Sequence, residues 1–280
     1  MVAWEVAIGR IKSSCDITRD TYGTSVWMYS QLRRLARTGL TPQFINEMKL
    51  ELVRLKVNPS AVSRLTGVYF FENESDAYTA LDRWNIPGKK KYISQVNFSA
   101  NNITRVDSEW ITSYMRSTDE QEWMVSYWSG EVQGVKPLTE VLASGIGMVG
   151  NNALRQEATR RIYEQHLTSS PLLSMACCGY AYAGFADIAI VKPWIWSEGG
   201  ALHGSHIIDV QDLSLHEDVL LEAMEFCRKR GEILPMVVPD DSESFFRTPD
   251  ISHLDFKLES VVATDLFNSV HDLGFKAASS

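Results

Sequence analysis

Residues Asn58–Ser99, NPSAVSRLTGVYFFENESDAYTALDRWNIPGKKKYISQVNFS, are the stretch whose reading decides the fold. Val68, Tyr69, Phe70 and Phe71 form a short aromatic and β-branched run, which favours a buried strand. Glu72 to Ser75 break it. Ala77, Ala80, Leu81 and Trp84 then recur at helical spacing, so a short helix follows. Asn85-Ile86-Pro87-Gly88 ends that helix, and Tyr92 to Phe98 alternates like a second strand. A polar Ser63-Arg64 pair stands just ahead of the first strand.

Outward from this unit, Val2–Ile11 reads as a strand ending near Arg10. Helical spacing returns over about 25–36, closed by Gly39. Thr41-Pro42 opens another helix, with Thr41 as N-cap, Pro42 at the first helical position and Phe44, Ile45, Met48 and Leu52 as its apolar stripe. Beyond Phe98, ANNITRVD predicts a turn and a short strand. Asp107 then caps a helical region holding Trp110, Tyr114, Trp123, Tyr127 and Trp128, read as core. Glu140–Ile146 is a strand with a carboxylate at its entrance. Helices are expected over about 152–166 and 171–183, and strands over 187–196 and 201–209 joined by Glu198-Gly199-Gly200. Ser214 caps a last amphipathic helix with acids early and bases late. No repeat or linker divides the chain. The expected architecture is therefore one α+β domain over 1–280, with a core over about 1–150 and a C-terminal extension over about 151–280 packed on it.

Composition excludes several classes. Of 280 residues, 45% are hydrophobic and 22% charged, which is ordinary for a globular protein, and no run approaches a membrane span. The N-terminal MVAWEVAIGRIKSS lacks the features of a secretory leader, so the expected location is the cytoplasm. Cys15, Cys177, Cys178 and Cys227 show no CxxC spacing and read as buried thiols. A net charge of −8 argues against a general polyanion binder. Lys89-Lys90-Lys91 is the one dense basic cluster, either a solvated loop or part of a local nucleic-acid groove. No phosphate loop, GxGxxG or GxSxG elbow is present. His203, His206 and His216 are the best metal candidates, but their spacing reads as structural or surface histidine, so no metal is expected.

Three separated elements remain. Arg10 lies on a first strand, Ser63-Arg64 precede a second, and Glu140 begins a third. SRLTGVYFFENESDAYTALDRW, then YW-SGE and PLTEVLASG, resemble the ADP-ribosyltransferase fold, notably its bacterial toxin-like and phage-defence branch. The resemblance spans roughly residues 4–150. It implies a split β-sandwich with flanking helices, extended here by extra C-terminal helices and strands, and NAD bound as substrate between two small sheets. The first histidine is His166, so only the Arg-Ser-Glu version of the family pattern can be met, by Arg10, Ser63 and Glu140.

On that resemblance, Arg10 pairs with the NAD phosphates, where a permanently charged fork suits an anion. Ser63 orients the nicotinamide ribose or Glu140. Glu140 hydrogen-bonds the ribose hydroxyl and stabilises the oxocarbenium-like state. Arg64 reinforces phosphate binding, and Tyr69 or Phe70 stacks on the nicotinamide. Read as residues alone, Arg10 also suits an ordinary ion pair, Ser63 a turn cap, Glu140 a solvated strand end, and Tyr69 and Phe70 the core. Arginine-modifying members carry Glu two residues before the catalytic Glu. Here that position is Leu138, which shifts the expected acceptor towards RNA, DNA, another side chain, a small molecule or water. The resemblance also implies a neutralising antitoxin or regulatory protein as partner, and leaves two other readings open: an NAD glycohydrolase, or an inactive binding module.

Overall fold

The computed structural model describes residues 3–14, 23–118, 122–165, 173, 176–177, 191–209, 217–230, 245–247 and 255–278. They form a mixed helical and antiparallel-sheet architecture. In chain order the elements are α1 (Ala3–Ile8), β1 (Arg10–Lys12), α2 (Val26–Thr38), α3 (Pro42–Val57), β2 (Val68–Phe71), α4 (Glu74–Arg83), β3 (Val96–Asp107), α5 (Ser108–Tyr114) and α6 (Glu122–Trp128). Then come β4 (Thr139–Val149), α7 (Asn152–Gln165), β5 (Val191–Glu198), β6 (Ala201–Asp209), α8 (Glu217–Lys229), β7 (Phe245–Arg247), β8 (Phe256–Leu258) and α9 (Val261–Ala278).

Local chemistry places most helix starts. Ser25, Thr41, Asn73 and Asp107 each accept a backbone N–H of the first turn, at Met28, Phe44, Asp76 and Glu109. Gly39, at φ +77°, closes α2. Gly199 and Gly200, both with positive φ, form the two-residue turn between β5 and β6.

Three of the expected strands differ: that over Tyr92–Phe98 starts only at Val96, because Pro87–Tyr92 close into a short helical turn, and the other two change more. Residues 3–8 are a helix because AWEVAI is buried from Trp4 to Ile8, Glu5 included, whereas a surface strand would hide one face only. The alternation of Trp4, Val6 and Ile8 imitates a strand. Gly9, at φ +87°, takes its N–H to the Glu5 carbonyl and ends the helix, leaving only Arg10–Lys12 extended. In the opposite sense, ANNITRVD is not a turn followed by a short strand. It continues β3 to Asp107, with an irregularity between Ala100 and Asn102 that absorbs Asn101. Of the expected helix over 171–183 only residues 173, 176 and 177 are described, and they are helical; the Ser214 cap lies outside the described residues.

The two sheets share a plan. In the first, β4 is central: β3 pairs along one edge, and β1 and β2 follow one another along the other. In the second, β6 is central, with β5 on one edge and β7 and β8 end to end on the other. Leu32, Phe44 and Met48 from α2 and α3 pack with Ile195, Leu202, Phe256 and Phe267, so the C-terminal half shares a core with the N-terminal helices. No helix among the described residues is long and apolar enough to cross a membrane.

Gly145 marks the point on β4 where β1 gives way to β2. Its φ is +136°, its N–H and carbonyl engage Ser13, and a Cβ there would stand 2.2 Å from the Ser99 carbonyl oxygen. Gly145→Ala is expected to cost about 2–3 kcal/mol through this clash and the unfavourable backbone angle. A urea midpoint equal to that of the wild type would show that β3 and β4 can part here at no cost.

Candidate functional site

The end of the first sheet where β2 meets the start of β4 holds a closed cluster of charge. The turn Ser63–Gly67 is tied by the Gly67 N–H to the Ser63 carbonyl at 2.8 Å and by the Leu65 N–H to the Ser63 hydroxyl at 3.1 Å. It leads straight into β2, whose Phe71 stands opposite Glu140. The turn directs the Arg64 side chain inward. Its Nε donates to Glu47 Oε1 at 2.8 Å, and its Nη1 donates to the Tyr127 hydroxyl at 2.8 Å and to Glu140 Oε2 at 3.1 Å. The guanidinium carbon lies 5.2 Å from the Tyr69 ring, 5.6 Å from Tyr127 and 5.8 Å from Trp27, so three aromatic faces surround the cation. Trp27 Nε1 completes the set by donating to Glu47 Oε2 at 2.8 Å.

The side chains of Glu47 and Arg64 are 0% and 3% exposed, and that of Glu140 is 10% exposed. Burial raises the Glu140 pKa, opposed by Arg64, assisted by the Glu47 charge and opposed again by the Tyr127 hydroxyl. Burial likewise pushes the Tyr69 and Tyr127 phenols up, so both remain neutral donors. Arg64 stays charged because Glu47 leads the groups that outweigh its desolvation.

Of the residues singled out by sequence, Arg64, Tyr69 and Glu140 meet here, and Ser63 forms the turn that presents them. Their contacts are with one another and with the interior. Arg64 spends its donors on interior acceptors and is not turned towards a phosphate site. The Tyr69 hydroxyl donates to the Arg64 carbonyl at 2.6 Å while its ring faces the guanidinium. Phe70, one residue on, points to the opposite sheet face, where it packs edge-on against Phe98 at 4.9 Å. Arg10 is not brought to the cluster. It is 4% exposed and paired with Met148, so along β4 it lies roughly 25 Å from Glu140 at about 3.4 Å per residue. That exceeds the combined reach of the two side chains.

The sequence reading passed over Glu47, Tyr127 and Trp27. Glu47 sits in α3 among charged neighbours that look like a solvated face, and only its burial against Arg64 gives it away. Gln43, Glu47, Glu51 and Arg54 recur at helical spacing and are all buried in the structure, but from sequence such a polar stripe reads as a solvated face.

The other candidates resolve individually. Lys90 pairs with Asp82 at 2.6 Å, while the ammonium groups of Lys89 and Lys91 lie 5.5 Å and 5.1 Å from the Tyr92 ring. His203 stacks on Trp196 and His206 packs on Tyr29, on opposite faces of β6. His216 lies outside the described residues, as do Cys15 and Cys178. Cys177 is partly buried against the α1–α7 core. A polar groove of about 290 Å³ runs beside β3, lined among others by Asn58, Asn102, Thr104, Arg105 and Trp128; it contains none of the sequence-predicted site residues. Comparison with family models, curated proteins and solved structures finds no match to the chain.

Proposed function

We propose that the chain is an NAD-dependent mono-ADP-ribosyltransferase in which Glu140 is the catalytic carboxylate. The observation that carries the reading is the register of β2 on β4. It joins a hydroxyl-bearing turn, a buried arginine, a tyrosine and the entrance glutamate of a central strand into one unit at one end of the sheet. The second antiparallel sheet is built from strands between 191 and 258, outside the stretch 4–150 over which the resemblance runs, so the first sheet alone carries this reading. Glu140 is the most exposed of the three charged groups, so NAD would approach from its side.

In the reaction, the bond between nicotinamide nitrogen and ribose C1′ breaks with its electron pair leaving on nicotinamide. A lone pair of the acceptor forms the new bond to C1′, and the acceptor's proton passes to water. Glu140, as carboxylate, would accept the ribose hydroxyl hydrogen and offset the positive charge that develops on the ring. Leu138, 2% exposed, offers no second carboxylate to an arginine acceptor, which favours a nucleic-acid or other non-arginine acceptor.

Two assays test this. Nicotinamide release from NAD is expected to fall about a hundredfold in Glu140→Gln, the order of loss when a transition-state electrostatic partner is removed, with far-UV circular dichroism unchanged. Label from adenine-labelled NAD should move to nucleic acid or protein; release without transfer would make the enzyme a glycohydrolase. A second reading is favoured by the enclosure of Arg64, whose bonds are all internal. On that reading the cluster is a structural clamp and the chain an inactive binding module, the result to be read from a wild-type protein that releases no nicotinamide.

A further inference from the structure

We propose that Glu47 is a positioning residue for Glu140: by holding Arg64 from the other side, it sets how readily Glu140 gives up its proton. One guanidinium serves two carboxylates in a space closed to solvent, and the division between them is unequal. Glu47 takes the Nε bond at 2.8 Å and has its second oxygen satisfied by Trp27 at 2.8 Å. Glu140 receives the longer bond, 3.1 Å, from a nitrogen that also donates to Tyr127. Leaving both acids ionised would bury a net negative charge, which is costly. The acid held less well, Glu140, is therefore the one whose ionisation the site opposes.

The other groups facing Glu140 do not alter this balance. Tyr69 on β2 and Tyr127 on α6 are buried neutral phenols. Asp107, at the end of β3 beside the entrance to β4, has its carboxylate occupied by the backbone N–H groups of Glu109, Gln133 and Leu138. Trp27 on α2 is a neutral donor to Glu47. Glu47 is thus the nearby charge that opposes ionisation of Glu140, and Arg64 the one that favours it.

The functional consequence rests on the proposed reaction: only the ionised Glu140 can stabilise the ribosyl cation, so activity should switch on as pH rises through the Glu140 midpoint. The coupling itself is tested without activity. Carboxyl signals of the full-length protein are followed over pH after isotopic labelling of glutamate, and Glu140 is identified as the signal lost in Glu140→Gln. In the wild type that signal should titrate above the surface carboxylates. Glu47→Gln should move it down by about one pH unit or more, as expected when a like charge is removed and its cation released. Tyr127→Phe, which removes a neutral hydroxyl and no charge, should move it less. A wild-type Glu140 titrating together with the surface acids overturns the proposal even if Glu47→Gln does not fold. So does a Glu47→Gln shift that is absent, upward, or no larger than that of Tyr127→Phe. An inactive wild type with the expected carboxyl shifts would count against the enzymatic reading alone.

Discussion

Arg64→Met is expected to lower stability by about 3–5 kcal/mol at neutral pH, the usual cost of removing one partner from a buried ion pair. Methionine approximates the length of the lost side chain, so the loss is chiefly electrostatic. Glu47, with a side chain wholly enclosed, and Glu140, nearly so, would be left without their shared cation. The Tyr127 hydroxyl would lose its donor, and Trp27 and Tyr69 the charge their faces surround.

The sign of the pH effect follows. With Arg64 gone, no cation offsets the burial that raises the Glu140 pKa above its unfolded value, so the native state binds more protons than the unfolded state over that interval. The variant should therefore recover stability as pH falls from 7 towards the ordinary carboxylate range. Adding Glu47→Gln and Glu140→Gln to Arg64→Met should restore much of the loss, since neutral groups of similar shape replace the stranded charges. Urea midpoints at pH 7 and pH 5 measure both effects. A single variant losing under about 1 kcal/mol at pH 7 would mean that the cluster is open to water, because exposed pairs contribute no more than this.

What the sequence disclosed and what it withheld divide along the range of the interactions. Thr41 and Asp107 announce their helices because a cap is settled within three residues. Val68–Phe71 and the strand behind Glu140 are legible because apolar β-branched and aromatic runs have little alternative to a sheet interior. AWEVAI misleads because it is buried all round, and a six-residue helix is too short for its period to be told from alternation. The Asn101 irregularity resembles a turn because Asn-Asn favours turns locally, and only the pairing of β3 with β4 shows it as an interruption within one strand. The charged cluster is the extreme case. Glu47, Arg64, Tyr127 and Glu140 come from four elements. Nothing local in NEMKLELVRL marks Glu47 as interior, and nothing near Arg10 places it at the far end of β4. Pairwise order along the chain identified which residues carry charge and hydroxyls. The strand register decided which of them meet.

His206 should make stability fall as pH is lowered from about 6.5 towards 3. It is 2% exposed on β6, opposite Pro193, with its ring edge-on to Tyr29 at 4.3 Å in the core shared by the two halves of the chain. Burial lowers its pKa to about 3. Between that value and the unfolded pKa of about 6.5, the unfolded state binds a proton that the native state refuses, so the stabilising contribution is complete above about 6.5 and lost as pH falls through the interval. The slope from this one residue approaches 1.4 kcal/mol per pH unit, for a total of about 5 kcal/mol. His206→Leu keeps an apolar side chain against Tyr29 and removes the titration. Its urea midpoint should vary less with pH below 6.5 than that of the wild type, and the two curves should converge or cross on acidification. Parallel curves would show that protonated His206 is accommodated in the fold, which would require water to reach the interface between α2 and the second sheet.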